Sequence, residues 1–60
     1  MNAEQLDEIY SEICHRMTAA GEDGALLYLS RLALLLAHEV DDAERVRTAV
    51  ETAATPDGGR

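Results

Sequence analysis

The chain has 60 residues, with twelve acidic residues against five arginines, no lysine and a net charge of −7. A chain this short forms one domain, and it buries only about 60% of the surface that its unfolded form exposes, so such folds usually need an additional source of stability. The acidity disfavours nucleic acids and anionic membranes as partners, because both are bound through clustered cations.

The first predicted helix runs from about residue 3 to residue 20. Asn2 and Gln5 have the spacing of a capping box at its start. Apolar residues then recur at intervals of three and four, which is helical periodicity; they are Leu6, Ile9, Tyr10, Ile13 and Met17. Gly21 can adopt the left-handed conformation that ends a helix.

Three residues of this helix are candidates for chemistry. Glu12 and His15 have the Glu-x-x-His spacing of di-iron bundles, but they lie opposite the apolar positions, which favours a solvated helix face over a metal site. Cys14 lies at the edge of the apolar stripe without a neighbouring cation, which favours a small buried side chain over a reactive thiol. We therefore expect no catalytic residue, no cofactor and no metal.

Cys14 is the only cysteine in the chain, so an intrachain disulfide is not possible. A lone thiol without a secretory signal predicts a cytoplasmic protein.

The second predicted helix, residues 25–39, contains seven of the eight leucines. Residues 21–24 are expected to form a short linker with Asp23 as the helix cap, which would make the first two helices antiparallel neighbours. One wide face should then contact the first helix; it comprises Leu26, Leu29, Leu32, Ala33, Leu36 and Val40. The apolar run is shorter than the ~20 residues that a membrane span needs, and Ser30 and Arg31 interrupt it.

Apolar residues also occupy the other side of this helix, where a neighbouring helix cannot cover them. The residues on that side are Leu27, Tyr28, Arg31, Leu34, Leu35 and His38. Arg31 and His38 are compatible with a solvent-exposed polar strip that keeps the helix in solution, in which His38 interacts with the free carbonyl groups at the C-terminal end of the helix. They equally permit a protein interface, where arginine and aromatic residues are enriched, and the three leucines favour that interpretation.

The third predicted helix, residues 42–54, begins after a capping-box pattern of Asp41 and Glu44. Its apolar stripe of small residues predicts close packing with little burial; the stripe comprises Val46, Ala49, Val50 and Ala53. Pro56 disfavours helical geometry at Thr55, and residues 55–60 are expected to be a tail. The predicted fold is all-α, a single domain over residues 1–54 built as an antiparallel helical hairpin plus a short third helix.

The segment from Arg31 to Val40, Arg-Leu-Ala-Leu-Leu-Leu-Ala-His-Glu-Val, resembles the core of a family of short proteobacterial proteins of unknown function. The family pattern, Ala-Arg-Leu-x-Leu-Leu-Leu-Ala-Asn followed by an aliphatic residue, an Asp and a further helix, covers roughly residues 29–50. This chain departs from it at His38, where the family tends to have Asn, and in its N-terminal third. Because family members are typically encoded beside flavin-dependent aromatic hydroxylases, the resemblance implies an accessory subunit of such an enzyme.

Two functional hypotheses remain open on the sequence. The first is a small non-catalytic subunit that binds a larger protein through the second helix, with a flavin-dependent hydroxylase as the implied partner. The second is an obligate homo-oligomer, with a regulatory or structural role, that buries the same face between copies. An enzyme in its own right is disfavoured because no residue set meets the geometric requirements of an active site.

Overall fold

The computed structural model of the chain describes residues 1–56, and this part is all-helical, as predicted. It contains two helices, α1 (Ala3–Val40) and α2 (Ala43–Ala54). The prediction of three separate helices is therefore wrong. Residues 22–24, which were expected to belong to a linker, continue α1, and Asp23 lies inside this helix instead of capping a new one.

The start of α1 follows the predicted capping box. The Asn2 side chain accepts a hydrogen bond from the Gln5 backbone N–H at 2.8 Å, and the Gln5 side chain accepts one from the Asn2 N–H at 3.0 Å. These two bonds satisfy donors that have no partner within the first turn of the helix.

Gly21 divides α1 into two arms, residues 3–20 and residues 22–40. Its backbone, at φ 77° and ψ 173°, is the one non-helical position within α1. Only glycine adopts this region without strain, because it has no Cβ. A straight helix of 38 residues would be about 57 Å long, whereas the longest extent of the molecule is 32 Å. The two arms therefore run in different directions.

The bend does not produce the predicted antiparallel hairpin. Within residues 1–56, positions twelve or more apart in sequence almost never approach each other. A hairpin needs a loop of several non-helical residues to reverse the chain, and here a single residue breaks the helix. Met17 and Ala25, on either side of the bend, line an open cavity next to Gly21.

The face of the second arm that was predicted to contact the first helix is consequently not covered. Leu29 and Leu32, in the middle of this face, are half-buried. Leu26 is 75% exposed and Leu36 is 53% exposed. No residue within the described range is buried, so this part of the chain has no hydrophobic core of its own.

The connection between α1 and α2 is a tight turn of two aspartates. Asp41 adopts the left-handed conformation (φ 52°), and its N–H donates to the Ala37 carbonyl at 3.0 Å. Asp42, not Asp41 as predicted, is the N-cap of α2, and its carboxylate accepts from the Arg45 N–H at 3.2 Å.

The C-terminal end of α2 is as predicted at Thr55, which has extended backbone at φ −78° and ψ 129°. The predicted tail, residues 55–60, lies outside the described residues from position 57 onward. Over residues 1–56, neither helix combines the length and the apolar character that crossing a bilayer requires.

Candidate partner-binding surfaces

The residues predicted to bind a partner form one side of the second arm of α1. Leu27, Arg31, Leu34 and His38 follow one another at intervals of four, three and four, which aligns them along a single stripe of an α-helix. Leu35 and Tyr28 lie beside that stripe, about 100° further round the helix than Leu34 and Leu27. We refer to these six residues as the leucine ridge.

The leucine ridge is largely open to solvent. Leu27 is 54% exposed, Leu34 72% and Leu35 65%. Arg31 and His38 are also exposed, whereas Tyr28 is half-buried. Isolated surface leucines are ordinary, but three on one side of one helix form the kind of apolar patch that monomeric proteins usually avoid.

A second apolar surface, which sequence reasoning did not assign to a site, lies between the end of α1 and α2. The two helices enclose an open groove of about 430 Å³. Its walls are almost entirely aliphatic; they are formed by Ala33, Leu36, Ala37, Val40, Arg45, Val46, Ala49, Val50 and Ala53. We refer to these residues as the α1–α2 groove.

The groove and the ridge lie on opposite sides of the same helix. Leu36 follows Leu34 by two positions, and Ala33 follows Arg31 by two, which is a rotation of about 200° in an α-helix. The two surfaces approach each other only near the end of α1, where Leu34 and His38 of the ridge line a further open cavity together with Ala37 and Val46 of the groove. The second arm of α1 thus contributes to two apolar surfaces, and both are largely exposed.

The total accessible surface shows how much is left uncovered. It is 5581 Å² for a chain of 6.5 kDa. A compact monomer of this mass exposes about 3,800 Å², so the excess is larger than roughly 1,000 Å². A typical stable interface buries about 800 Å² on each partner. The excess therefore exceeds what one ordinary interface would cover.

Charge is distributed unevenly between the parts of the chain. Residues 1–24 carry six acids and one arginine, a net charge of −5, whereas residues 25–56 carry five acids and three arginines, a net charge of −2. Two acids and two arginines cancel within α2 itself. The more acidic region is therefore the first arm together with Glu22 and Asp23 at the start of the second arm.

The candidates for chemistry in the first arm are not assembled into a site. Glu12 and His15 are exposed, and Cys14 is half-buried and carries a thiol. Among the residues that the structure describes, no three His, Cys, Asp or Glu side chains are grouped in a way that would hold a metal ion.

Comparison of the chain with protein-family models, with curated proteins and with solved structures gave no match.

The groove was missed although its sequence signal was present. Val46, Ala49, Val50 and Ala53 have the three- and four-residue spacing of an apolar stripe. That stripe was interpreted as packing against the rest of the chain. The structure places it beside α1 at an angle that leaves the space between the two helices unfilled, with Val50 61% exposed.

Proposed function

We propose that this chain is a non-catalytic interaction subunit that binds a larger protein through the leucine ridge. The observation that carries the proposal is the exposure of Leu27, Leu34 and Leu35 in a chain with no buried residue over positions 1–56. Covering these three side chains would remove apolar surface from water at roughly 25 cal/mol per Å². A protein surface is the cover that we propose for them, since α1 does not combine the length and the apolar character that crossing a bilayer requires.

Arg31 is the proposed centre of this interface. It lies between Leu27 and Leu34 on the stripe, and its aliphatic stem can pack on them while the guanidinium pairs with a carboxylate or a carbonyl of the partner. Arginine in such a setting is among the residues that contribute most to protein–protein affinity.

The class of partner comes from the resemblance of residues 29–50 to the small proteobacterial family. We propose a flavin-dependent aromatic hydroxylase as the larger protein. Residues 1–56 contain no group of His, Cys, Asp and Glu side chains that would hold a metal ion, and we propose that the effect of the chain comes from binding one state of the enzyme more tightly than another. We place the complex in the cytoplasm, where Cys14 would remain a thiol.

The test is co-expression of the chain with a flavin-dependent aromatic hydroxylase from the same organism. We expect a complex that survives purification, and an enzyme whose melting temperature rises, because a ligand at a hundredfold excess over Kd stabilises the folded form by about 2.7 kcal/mol. The absorption spectrum of the bound flavin should not change.

Leu34→Glu is the informative variant, and Tyr10→Glu is its matched control. Both add one negative charge at a position of similar exposure, 72% and 69%, but Tyr10 belongs to the other arm. We expect Leu34→Glu to abolish the complex and Tyr10→Glu to retain it. An enzyme whose stability, assembly and turnover are the same with and without the chain would refute the proposal.

A further inference from the structure

We propose that the α1–α2 groove is a homodimer interface, in which two copies of this chain place their grooves face to face around a two-fold axis. The second arm of α1 and α2 of each copy would then form four helical segments around one shared apolar core. This inference does not depend on the proposed function, because none of the six residues of the leucine ridge lines the groove.

The shape and chemistry of the groove fit a helical partner with a matching stripe. Each wall is an apolar stripe with three- and four-residue spacing, one from α1 and one from α2. Alanine at positions 37, 49 and 53 permits close approach of helices, at the short end of the usual 8–10 Å between axes. The partner stripe that this groove requires is therefore one that the chain itself carries.

The accessible surface area of the chain is large enough for a second interface in addition to the one proposed for the ridge. The excess over a compact monomer is larger than roughly 1,000 Å², whereas a standard interface buries about 800 Å² per partner. A two-fold dimer through the groove would cover the same patch on both copies, as isologous interfaces do. It would also give the chain the core that residues 1–56 lack as a monomer.

The charge distribution favours a second copy at this end of the molecule. Two chains of net charge −7 repel each other, and most of that charge, −5, belongs to residues 1–24. Joining the copies through the groove, whose residues lie between positions 33 and 53, leaves residues 1–24 outside the contact, and the charges of α2 cancel. Arg45 lines the groove, and it is a cation that can offset the remaining acids of the partner copy.

The first test is sedimentation of the purified full chain and of three variants. We expect the wild-type chain to sediment at twice the 6.5 kDa chain mass. Ala49→Glu should raise the dimer dissociation constant by at least ~100-fold, because it would bury an unpaired charge. Thr48→Glu adds the same charge on the outer side of α2, and Leu27→Glu adds it on the ridge, away from α2; each should change the constant by less than ~3-fold.

The second test requires no variant, so it remains decisive if Ala49→Glu fails to fold. In a dimer mixed from labelled and unlabelled chains, isotope-filtered NMR should detect contacts between copies from the methyl groups of Leu36, Val40, Val46 and Val50. Contacts between copies confined to the methyl groups of Leu27, Leu34 and Leu35 would overturn the inference. So would a wild-type chain that stays monomeric at high concentration, or equal loss of the dimer in Thr48→Glu and Ala49→Glu.

Discussion

The leucine ridge and the α1–α2 groove are both apolar, but they differ in how they are built. The ridge belongs to one helix, is convex and carries Arg31 and His38 among its leucines. The groove is concave, is made by two helices and contains several alanines. Convex surfaces with a central arginine suit insertion into a pocket of another protein, whereas a groove between two helices suits other helices. The same stretch of α1 can therefore serve two different contacts.

The two surfaces also differ in how far the local sequence determines them. The ridge depends only on helical spacing within residues 27–38, so any helix with this sequence would present it. The groove depends on the angle between α1 and α2, which is set by the left-handed Asp41 and the capping Asp42. Substitutions can consequently disturb one surface while preserving the other.

The largest effect on binding through the ridge is expected from substitution of Arg31. Arg31→Ala should weaken binding of the larger protein by at least ~2 kcal/mol, about 30-fold in Kd, because it removes the central cation of the ridge. Arg47→Ala is the control, since Arg47 is also exposed but belongs to α2. Isothermal titration calorimetry with the purified hydroxylase would measure both. Equal losses for the two variants would mean that the ridge has no special role and only overall charge matters.

A smaller effect, confined to the groove, is expected from loss of the α2 cap. Asp42→Ala removes the acceptor of the Arg45 N–H, which should destabilise α2 by about 1 kcal/mol and weaken the dimer accordingly. Binding through the ridge should be unaffected. Asn2→Ala removes the corresponding cap of α1 and should leave the dimer unchanged. Sedimentation would measure the dimer, and calorimetry on the same samples would measure binding of the larger protein. Weakening of both contacts by Asp42→Ala would contradict the distinction between the two surfaces.

The sequence predicted local structure well, because caps and periodicity act over a few residues. The Asn2–Gln5 box, a glycine with positive φ at position 21 and the end of α2 at Thr55 were all expected and are present, but Gly21, at ψ 173°, is not in the left-handed helical conformation that was predicted. The choice of Asp41 over Asp42 as the cap was wrong, since either aspartate suits the role and only the backbone conformation distinguishes them. Asp41 is left-handed, so it ends α1 instead.

The relative direction of the segments could not be predicted in the same way. The spacing of Gly21 and Gly24 suggested a linker that reverses the chain, but only Gly21 leaves helical geometry. Glu22 and Asp23 are favourable in the first turn of a helix that restarts there, which lets the second arm begin immediately. Without a reversal, the face containing Leu26 and Leu36 stays exposed. Part of the face that was predicted to pack inside the chain, including Leu36, therefore lines the groove instead.

The stability of the chain follows from the same geometry. Isolated helices shorter than about 12–15 residues are marginal in water, and most helical stability in proteins comes from packing of an apolar face. Here α2 has 12 residues, and no residue is buried over positions 1–56. We therefore expect this chain to acquire its stability when another polypeptide covers its apolar surfaces.

The most direct test of that claim is the concentration dependence of thermal unfolding, followed by far-UV circular dichroism of the full chain alone. Association that stabilises the folded state makes the melting temperature depend on concentration. We expect the melting temperature to rise by several degrees for each tenfold increase in concentration between about 1 and 100 µM, with helicity lost on dilution. A cooperative transition at one temperature throughout that range would contradict the account, because it would show a chain that is stable by itself.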